Sequence, residues 1–277
     1  MYSPAKIAFK YFRYYFTASN GKGHGIHSPF VFEFVTKVLN DITDSTDITD
    51  ITDSTDYADY NEVENLRRRL LKDNTVLHIE DLGAGSGVSK TSERTIASIA
   101  KNAAKPKKFG QLFYRMVKHY QLNNIIELGT SLGITTSYLA KADPSARVIT
   151  LEGAKEVLSV AKQNFMKLKL SNVETVEGNF GNTLSSVVNG LSSIDLAFID
   201  GNHRLQPTIQ YFETLLPKTH NFSIIILDDI HWSEEMEQAW KYCKEHASVT
   251  LSIDLFFIGI LIFRKEIKEK QCFSIRF

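Results

Sequence analysis

Ile125-Ile-Glu-Leu-Gly-Thr-Ser-Leu-Gly133 is the stretch that decides the fold. An apolar run takes in an acid, Glu127, turns through Gly129 and Gly133, and enters a segment of helical character, Ile134 to Ala142. About twenty residues further on, Arg147-Val-Ile-Thr-Leu-Glu152 is a second apolar run that ends in an acid. Strand, glycine turn, helix and a second strand closing on a carboxylate are the parts of a nucleotide-type cofactor site. Such sites lie at the carboxyl edge of a parallel sheet. The glycines let backbone approach the ligand, and the second carboxylate takes ribose hydroxyls.

Downstream of Asn124, strand and helix signals alternate. Strands are expected at Ile125–Leu128, Arg147–Glu152, Val173–Glu177, Ile194–Asp200 and Phe222–Leu227. Helices are expected at Ile134–Ala142, Lys155–Leu168, Thr183–Asn189, Thr208–Leu216 and Ser233–Glu245. Two last strands, Val249–Asp254 and Phe257–Arg264, are joined by only Leu255 and Phe256, which forces an antiparallel hairpin. The expected class is therefore α/β, a Rossmann-like, mostly parallel sheet with one antiparallel strand near its edge.

Residues 1–108 read as a mainly helical N-terminal extension to a cofactor-binding domain at 109–277. An aromatic first helix (Phe9, Tyr11, Phe12, Tyr14, Tyr15, Phe16) precedes a loop, Asn20 to Phe30, that carries His24 and His27. Those histidines are candidates for a lid over the site. Aspartate recurs at every third position from Asp41 to Asp59. Period three suits neither a strand nor a helix face, so an extended, solvated tract is expected. A basic helix with Arg67, Arg68 and Arg69 follows. A second glycine stretch, Asp81-Leu-Gly-Ala-Gly-Ser-Gly87, lacks a following strand that ends in an acid. The site is therefore assigned to Glu127–Gly133, and residues 83–87 to a turn in the extension.

Bulk properties exclude several classes. Lys plus Arg and Asp plus Glu are 32 each, so no global field favours nucleic acid. Cys243 and Cys272 fit no zinc spacing or disulfide framework and suit a reducing, cytoplasmic setting. No apolar stretch reaches the roughly eighteen residues of a membrane helix. No membrane or nucleic-acid partner is expected. A second copy of the chain could dock on the aromatic first helix.

The ligand's charge follows from the turn. Gly129-Thr-Ser-Leu-Gly133 is not Gly-x-Gly-x-x-Gly, and Glu127 just before it would repel a phosphate and attract an ammonium. S-adenosyl-L-methionine has an ammonium, a sulfonium and no phosphate. From residue 109 onward the chain resembles class I S-adenosylmethionine-dependent methyltransferases, nearest to the small O-methyltransferases of the catechol and caffeoyl-CoA type. The stretches that carry the likeness are Glu127–Gly133, Thr150-Leu-Glu-Gly153, Glu177-Gly-Asn179, Phe198-Ile-Asp-Gly-Asn-His203 and Leu227-Asp-Asp-Ile-His-Trp232. The resemblance implies a seven-stranded sheet. It implies that Glu127, Gly129, Thr130, Ser131 and Gly133 hold the methionine moiety, Glu152 and Gly153 the ribose, and Gly178, Asn179 and Phe180 the adenine. Asp200 would face the cofactor as well.

Asp200, Asp228 and Asp229 end neighbouring strands, and three carboxylates at one cleft mouth call for a cation. Mg2+ takes oxygen ligands, so these three are the candidate metal ligands. The catechol-type enzymes have Asp-Asn where Asp228-Asp229 stands here. His203 and His231 are the candidate general bases, acting with Asp200 and Asp228 on a small-molecule acceptor, most simply at oxygen. A non-catalytic cofactor-binding module and a nicotinamide-dependent oxidoreductase are the alternatives.

Overall fold

The computed structural model describes residues 1–19, 21–23, 25–40, 54–79, 93–102 and 104–277. In chain order it has α1 (Pro4–Thr17), α2 (Pro29–Glu33) with a π-helical continuation (Phe34–Leu39), α3 (Ser54–Leu70), β1 (Val76–His78), β2 (Glu93–Thr95), α4 (Ile96–Asn102) and α5 (Lys107–Tyr120). The alternating part follows with β3 (Asn124–Leu128), α6 (Ile134–Ala142), β4 (Arg147–Glu152), α7 (Lys155–Lys167), β5 (Val173–Glu177) and α8 (Phe180–Asn189). It continues through β6 (Ile194–Ile199), α9 (Leu205–Leu215), β7 (Thr219–Asp228), α10 (Glu234–Glu245), β8 (Leu251–Asp254), β9 (Ile258–Ile262) and β10 (Gln271–Ser274).

The main sheet runs β10-β8-β9-β7-β6-β3-β4-β5. Strand β9 is antiparallel to both neighbours, to β8 as their three-residue connection demands, and the other pairings are parallel. Helices cover both faces, so the central strands are apolar on both sides. Ile125, Val148, Leu196, Phe198, Ile224 and Ile226 enter the core under α5 and the Phe30–Leu39 helix. Their alternates Ile126, Ile149, Ala197, Ile199, Ile225 and Leu227 enter the core under α8, α9 and α10. The chain winds outward from β3 to β5, then returns to build β6 and β7 on the other side. The crevice outside β3 and β6 is therefore the topological switch point, where open α/β sheets bind ligands.

Three expectations are corrected. The sheet has eight strands, not seven, because Gln271–Ser274 adds beside β8 in parallel. Its alternately half-buried and exposed residues lack the apolar run that marks the inner strands. Thr91 to Ala103 reads in sequence as one helix, but Glu93–Thr95 within it is a short strand that pairs with Val76–His78. The C-terminal end of the aspartate tract is not extended, since residues 54–59 open α3. Asp56 accepts from the Tyr114 hydroxyl at 2.9 Å and from Lys118 at 2.5 Å. Asp59 accepts from Lys141 at 2.9 Å and lies 2.9 Å from the same Tyr114 hydroxyl, whose one hydrogen the two carboxylates share. These partners offset the self-repulsion that the repeat suggests, and an acid in the first turn suits the helix dipole. The tract from 41 to 53, the glycine stretch 81–87 and His24 lie outside the described residues.

Helix α1 is amphipathic. Its capping Ser3 accepts from the Lys6 amide, and Tyr11 and Tyr14 pack on Phe256 at ring distances of 5.0 and 5.3 Å. The Tyr14 hydroxyl also donates to the Ile275 carbonyl. Phe9, Phe12 and Phe16 on the other face stay exposed. No described helix is long and apolar enough to cross a membrane.

Candidate functional site

The first element of the site is the turn after β3. The Gly129 and Thr130 amides both donate to the Leu151 carbonyl, at 2.9 and 3.1 Å, and the Asp200 amide donates to the Leu128 carbonyl at 2.9 Å. The turn is thus stitched to the ends of β4 and β6. A side chain at Gly129 would put its Cβ 1.9 Å from the Asp200 carbonyl oxygen, and φ there is +105°. Only glycine fits such a position. Ser131, at φ 48°, completes a left-handed corner before α6.

Beneath the turn lies a polar network that is wholly buried. Glu127 Oε2 accepts from the hydroxyls of Thr136 and of Thr150, the latter at 2.7 Å. The Thr150 hydroxyl, having given its hydrogen to Glu127, accepts from Thr130 at 2.6 Å. The second oxygen, Oε1, is buried with no partner. Burial pushes the Glu127 carboxyl up to about 8, against the pull of the two threonine bonds. An orphaned buried acceptor of this kind costs about 1–3 kcal/mol, so an unmet ligand is the simplest account of it.

Glu152, at the end of β4, holds the turn from the other side. Its Oε2 accepts from the Ser131 amide at 2.8 Å and its Oε1 from the Ala154 amide at 2.9 Å. Burial raises its carboxyl despite bonds from the amides of Ala154, Ser131 and Gly153. A carboxylate with these amide donors keeps an acceptor site for a further hydroxyl. The Gly178 amide donates to the Glu152 carbonyl at 2.9 Å and brings the end of β5 alongside. Asn179 caps α8 through its side-chain oxygen, which accepts from the Gly181 amide at 2.8 Å. The Phe180 ring lies against Gly201 and edge-on to Tyr211 at 5.8 Å.

The second element follows β6 and β7. Asp200, His203 and Asp228 bring one ligand atom each to within 4.8 Å of one another. Asp229 is adjacent but stands outside that set, with its carboxylate 3.1 Å from the Lys105 ammonium. Lys105 Nζ lies 2.5 Å from Asp228 Oδ1, and its side chain is 13% exposed. Asp228 Oδ1 accepts no hydrogen bond of good angle, so its partner there is the ammonium charge. Burial alone would lower Lys105, but Asp228, Asp229 and Asp200 together raise it, so the side chain is a fixed cation. Burial and the charge of Asp200 push Asp228 well up. Asp200 stays low, because His203 and Lys105 outweigh its burial.

The two candidate histidines differ. His203 Nε2 faces Asp200 Oδ1 at 3.4 Å, which leaves Nδ1 as the nitrogen able to take a proton. Burial alone would lower its pKa, but Asp200 wins and raises it. His203 and Asn202 both have positive φ, 43° and 67°. Two successive side-chain-bearing residues in the left-handed region are backbone strain of the kind concentrated at functional sites. His231 has both nitrogens engaged, Nδ1 with Glu237 at 3.0 Å and Nε2 with Asp254 at 2.8 Å. Glu237 also takes Lys10 at 2.8 Å and the Tyr2 hydroxyl at 2.9 Å. His231 therefore ties α1 to the sheet edge and has no free nitrogen for a base. Burial alone would lower it, yet the two carboxylates raise it, so its clamp is complete at acid pH and weakens as pH rises past the folded value. His231→Gln is expected to lower Tm while SAH affinity holds, and a loss of SAH binding at unchanged Tm would contradict the clamp. His27 makes no part of this group.

Lys105 is the residue that the sequence did not mark. It precedes Pro106 in a stretch that reads as a connector between two helices, and nothing in Lys105-Pro-Lys-Lys108 separates it from its neighbours.

Residues 126–230 match a family model described as a methyltransferase domain. The catechol O-methyltransferase of Niastella koreensis is 32% identical over 124 residues, which cover 44% of this chain and 55% of that relative. The chain thus aligns with about half of the curated relative's length. The O-methyltransferase from Bacillus cereus, solved in complex with SAH, superposes with a TM-score of 0.53 at 20% identity over 78% of this chain and 94% of that one. The SAH-bound Podospora anserina methyltransferase PaMTH1 gives a TM-score of 0.53 at 17% identity, over 60% and 82%. Residues 126–230 thus resemble a methyltransferase domain in sequence, and the chain shares the fold of solved SAH-bound methyltransferases.

Proposed function

We propose that the chain transfers a methyl group from S-adenosylmethionine to a hydroxyl of a small-molecule acceptor in the cytoplasm. The observation that carries this is Glu127 Oε1, a buried acceptor without a partner beneath the one turn of the switch point that only glycine can make. Glu127 would take the ammonium of the cofactor, Glu152 the ribose hydroxyls, and Gly178 to Phe180 the adenine edge. When bound, S-adenosylmethionine supplies an electrophilic methyl on a sulfonium. His203 accepts the acceptor's hydroxyl proton at Nδ1, and Asp200 holds its ring and offsets the imidazolium. The Niastella relative's name, catechol O-methyltransferase, supports an aromatic diol as the first acceptor to try.

Isothermal titration with SAH and with NAD tests the reading. SAH should bind and NAD should not. Glu127, with its carboxyl at about 8, is mainly protonated at neutral pH, and an ammonium beside it favours the ionised form. Binding at pH 7 should therefore release close to one proton, seen as a heat that varies with the buffer's ionisation enthalpy. At a pH well above 8 Glu127 no longer contributes to that release. A buffer-independent heat at pH 7 would remove Glu127 from the ammonium site. NAD binding in place of SAH would sink the proposal.

A further inference from the structure

Three carboxylates at a cleft mouth are the setting in which a divalent ion is expected, yet the space between two of them is already taken. Lys105 Nζ stands 2.5 Å from Asp228 Oδ1 and 3.1 Å from Asp229 Oδ1. Mg2+ holds its oxygen ligands at about 2.0–2.1 Å in near-octahedral order and tolerates no cation on the same carboxylate oxygen. Of the three side chains whose ligand atoms converge, Asp228 is therefore bound elsewhere, and His203 holds the facing oxygen of Asp200 at 3.4 Å.

We propose that Lys105 is the resident cation of this site: its ammonium occupies the divalent-ion position between Asp228 and Asp229, and the cluster takes up no metal while Lys105 is present. Resting on the methyl-transfer reading, the proposal adds a role in the reaction. An ammonium has three N–H donors. One is given to Asp229 while the ammonium charge faces Asp228, and a remaining N–H is available to the acceptor's oxygen, where it stabilises the charge that grows as His203 withdraws the proton. Lys105 is then a catalytic residue on a segment that precedes the matched domain, and the acceptor binds beside a chain-supplied cation.

Mn2+ is the probe, because its uptake is read by paramagnetic resonance on the whole chain without any turnover. Wild-type protein should leave Mn2+ free in solution. Lys105→Met removes the ammonium and keeps the apolar stem, and Lys105→Gln keeps a donor if the methionine variant fails to fold. Either folded variant should gain about one bound Mn2+ per chain, because three carboxylates then face one another without a cation. Asp228→Asn added to the lysine variant should remove that gain. Stoichiometric uptake by the wild-type chain overturns the proposal, and so does a folded lysine variant with no gain. If neither variant folds, the wild-type titration alone decides. SAH titration of the same samples reads the cofactor turn separately: failure there sinks methyl transfer and leaves the metal result standing.

Discussion

Gly129→Ala is expected to abolish SAH binding and to lower stability by ~3 kcal/mol or more, summing left-handed strain and a backbone clash. The added methyl would lie 1.9 Å from the Asp200 carbonyl oxygen, and φ at this position is +105°. Neither neighbour can yield. The Gly129 amide is bonded to the Leu151 carbonyl, and the Asp200 amide is bonded to the Leu128 carbonyl, so moving one shifts three strand ends at once. Relief requires β3 and β6 to part at their carboxyl ends, which is where the ligand crevice forms. The loss should appear as a fall in Tm on the order of 5–10 °C. Gly190→Ala is the control, because its Cβ would come no closer than 3.4 Å to the Val187 carbonyl and 3.8 Å to the Ser186 carbonyl, and its φ is −75°. That change should stay within about 0.5 kcal/mol of wild type. A Gly129→Ala protein with wild-type Tm and SAH affinity would show that the turn is not held as described.

What the sequence made legible follows from how each feature is encoded. Strands β3, β4, β6 and β9 are short apolar runs because both faces are covered, and such runs are visible without knowing what covers them. The reversed strand was legible from two connecting residues, since no crossover fits in that length. Strand β10 was hidden because an edge strand need not be apolar, and its pairing with β8 rests on backbone groups. Residues 54–59 misled because a charge repeat says nothing about the lysines and tyrosine that meet it from α5 and α6.

The site divides in the same way. Glycines and strand-end acids are local signals, and the structure brings Glu127, Gly129, Glu152, Gly178 and Asp200 to one sheet edge. Lys105 reaches Asp228 across more than a hundred residues of chain, and only the fold pairs them. Asp229 was grouped with its neighbour by adjacency, and the structure brings the two carboxylates together on one lysine ammonium that the sequence did not mark. Glu127 carries a related lesson. An acid before a phosphate-sized turn repels phosphate only when ionised, and burial holds this one near neutrality until a cation arrives. The proposed preference for an ammonium over a phosphate then rests on other ground. The reason shifts from standing repulsion to a buried acceptor that only a donor can satisfy.

His203→Ala should cut kcat by about 10²–10⁴-fold, the usual worth of a positioned general base, with SAH affinity little changed. The pH dependence makes the test specific. Asp200 holds the His203 pKa above its ordinary 6.5, although burial alone would lower it. Below that raised value the ring is an imidazolium and cannot accept a proton, so kcat should climb with pH and level off on the alkaline side of 6.5. Asp200→Asn removes the charge that raises the pKa and leaves burial unopposed by it, so the same limb should move toward acid pH. His203→Ala should lose the limb, whereas His231→Gln should keep it, because both nitrogens of His231 are already committed to Glu237 and Asp254. These profiles need only the best acceptor of a hydroxylated aromatic panel, followed by methyl transfer at saturating cofactor. A limb that survives in His203→Ala and vanishes in His231→Gln would exchange the two roles. The proton would then leave on the α1 side of the sheet edge, away from Asp200.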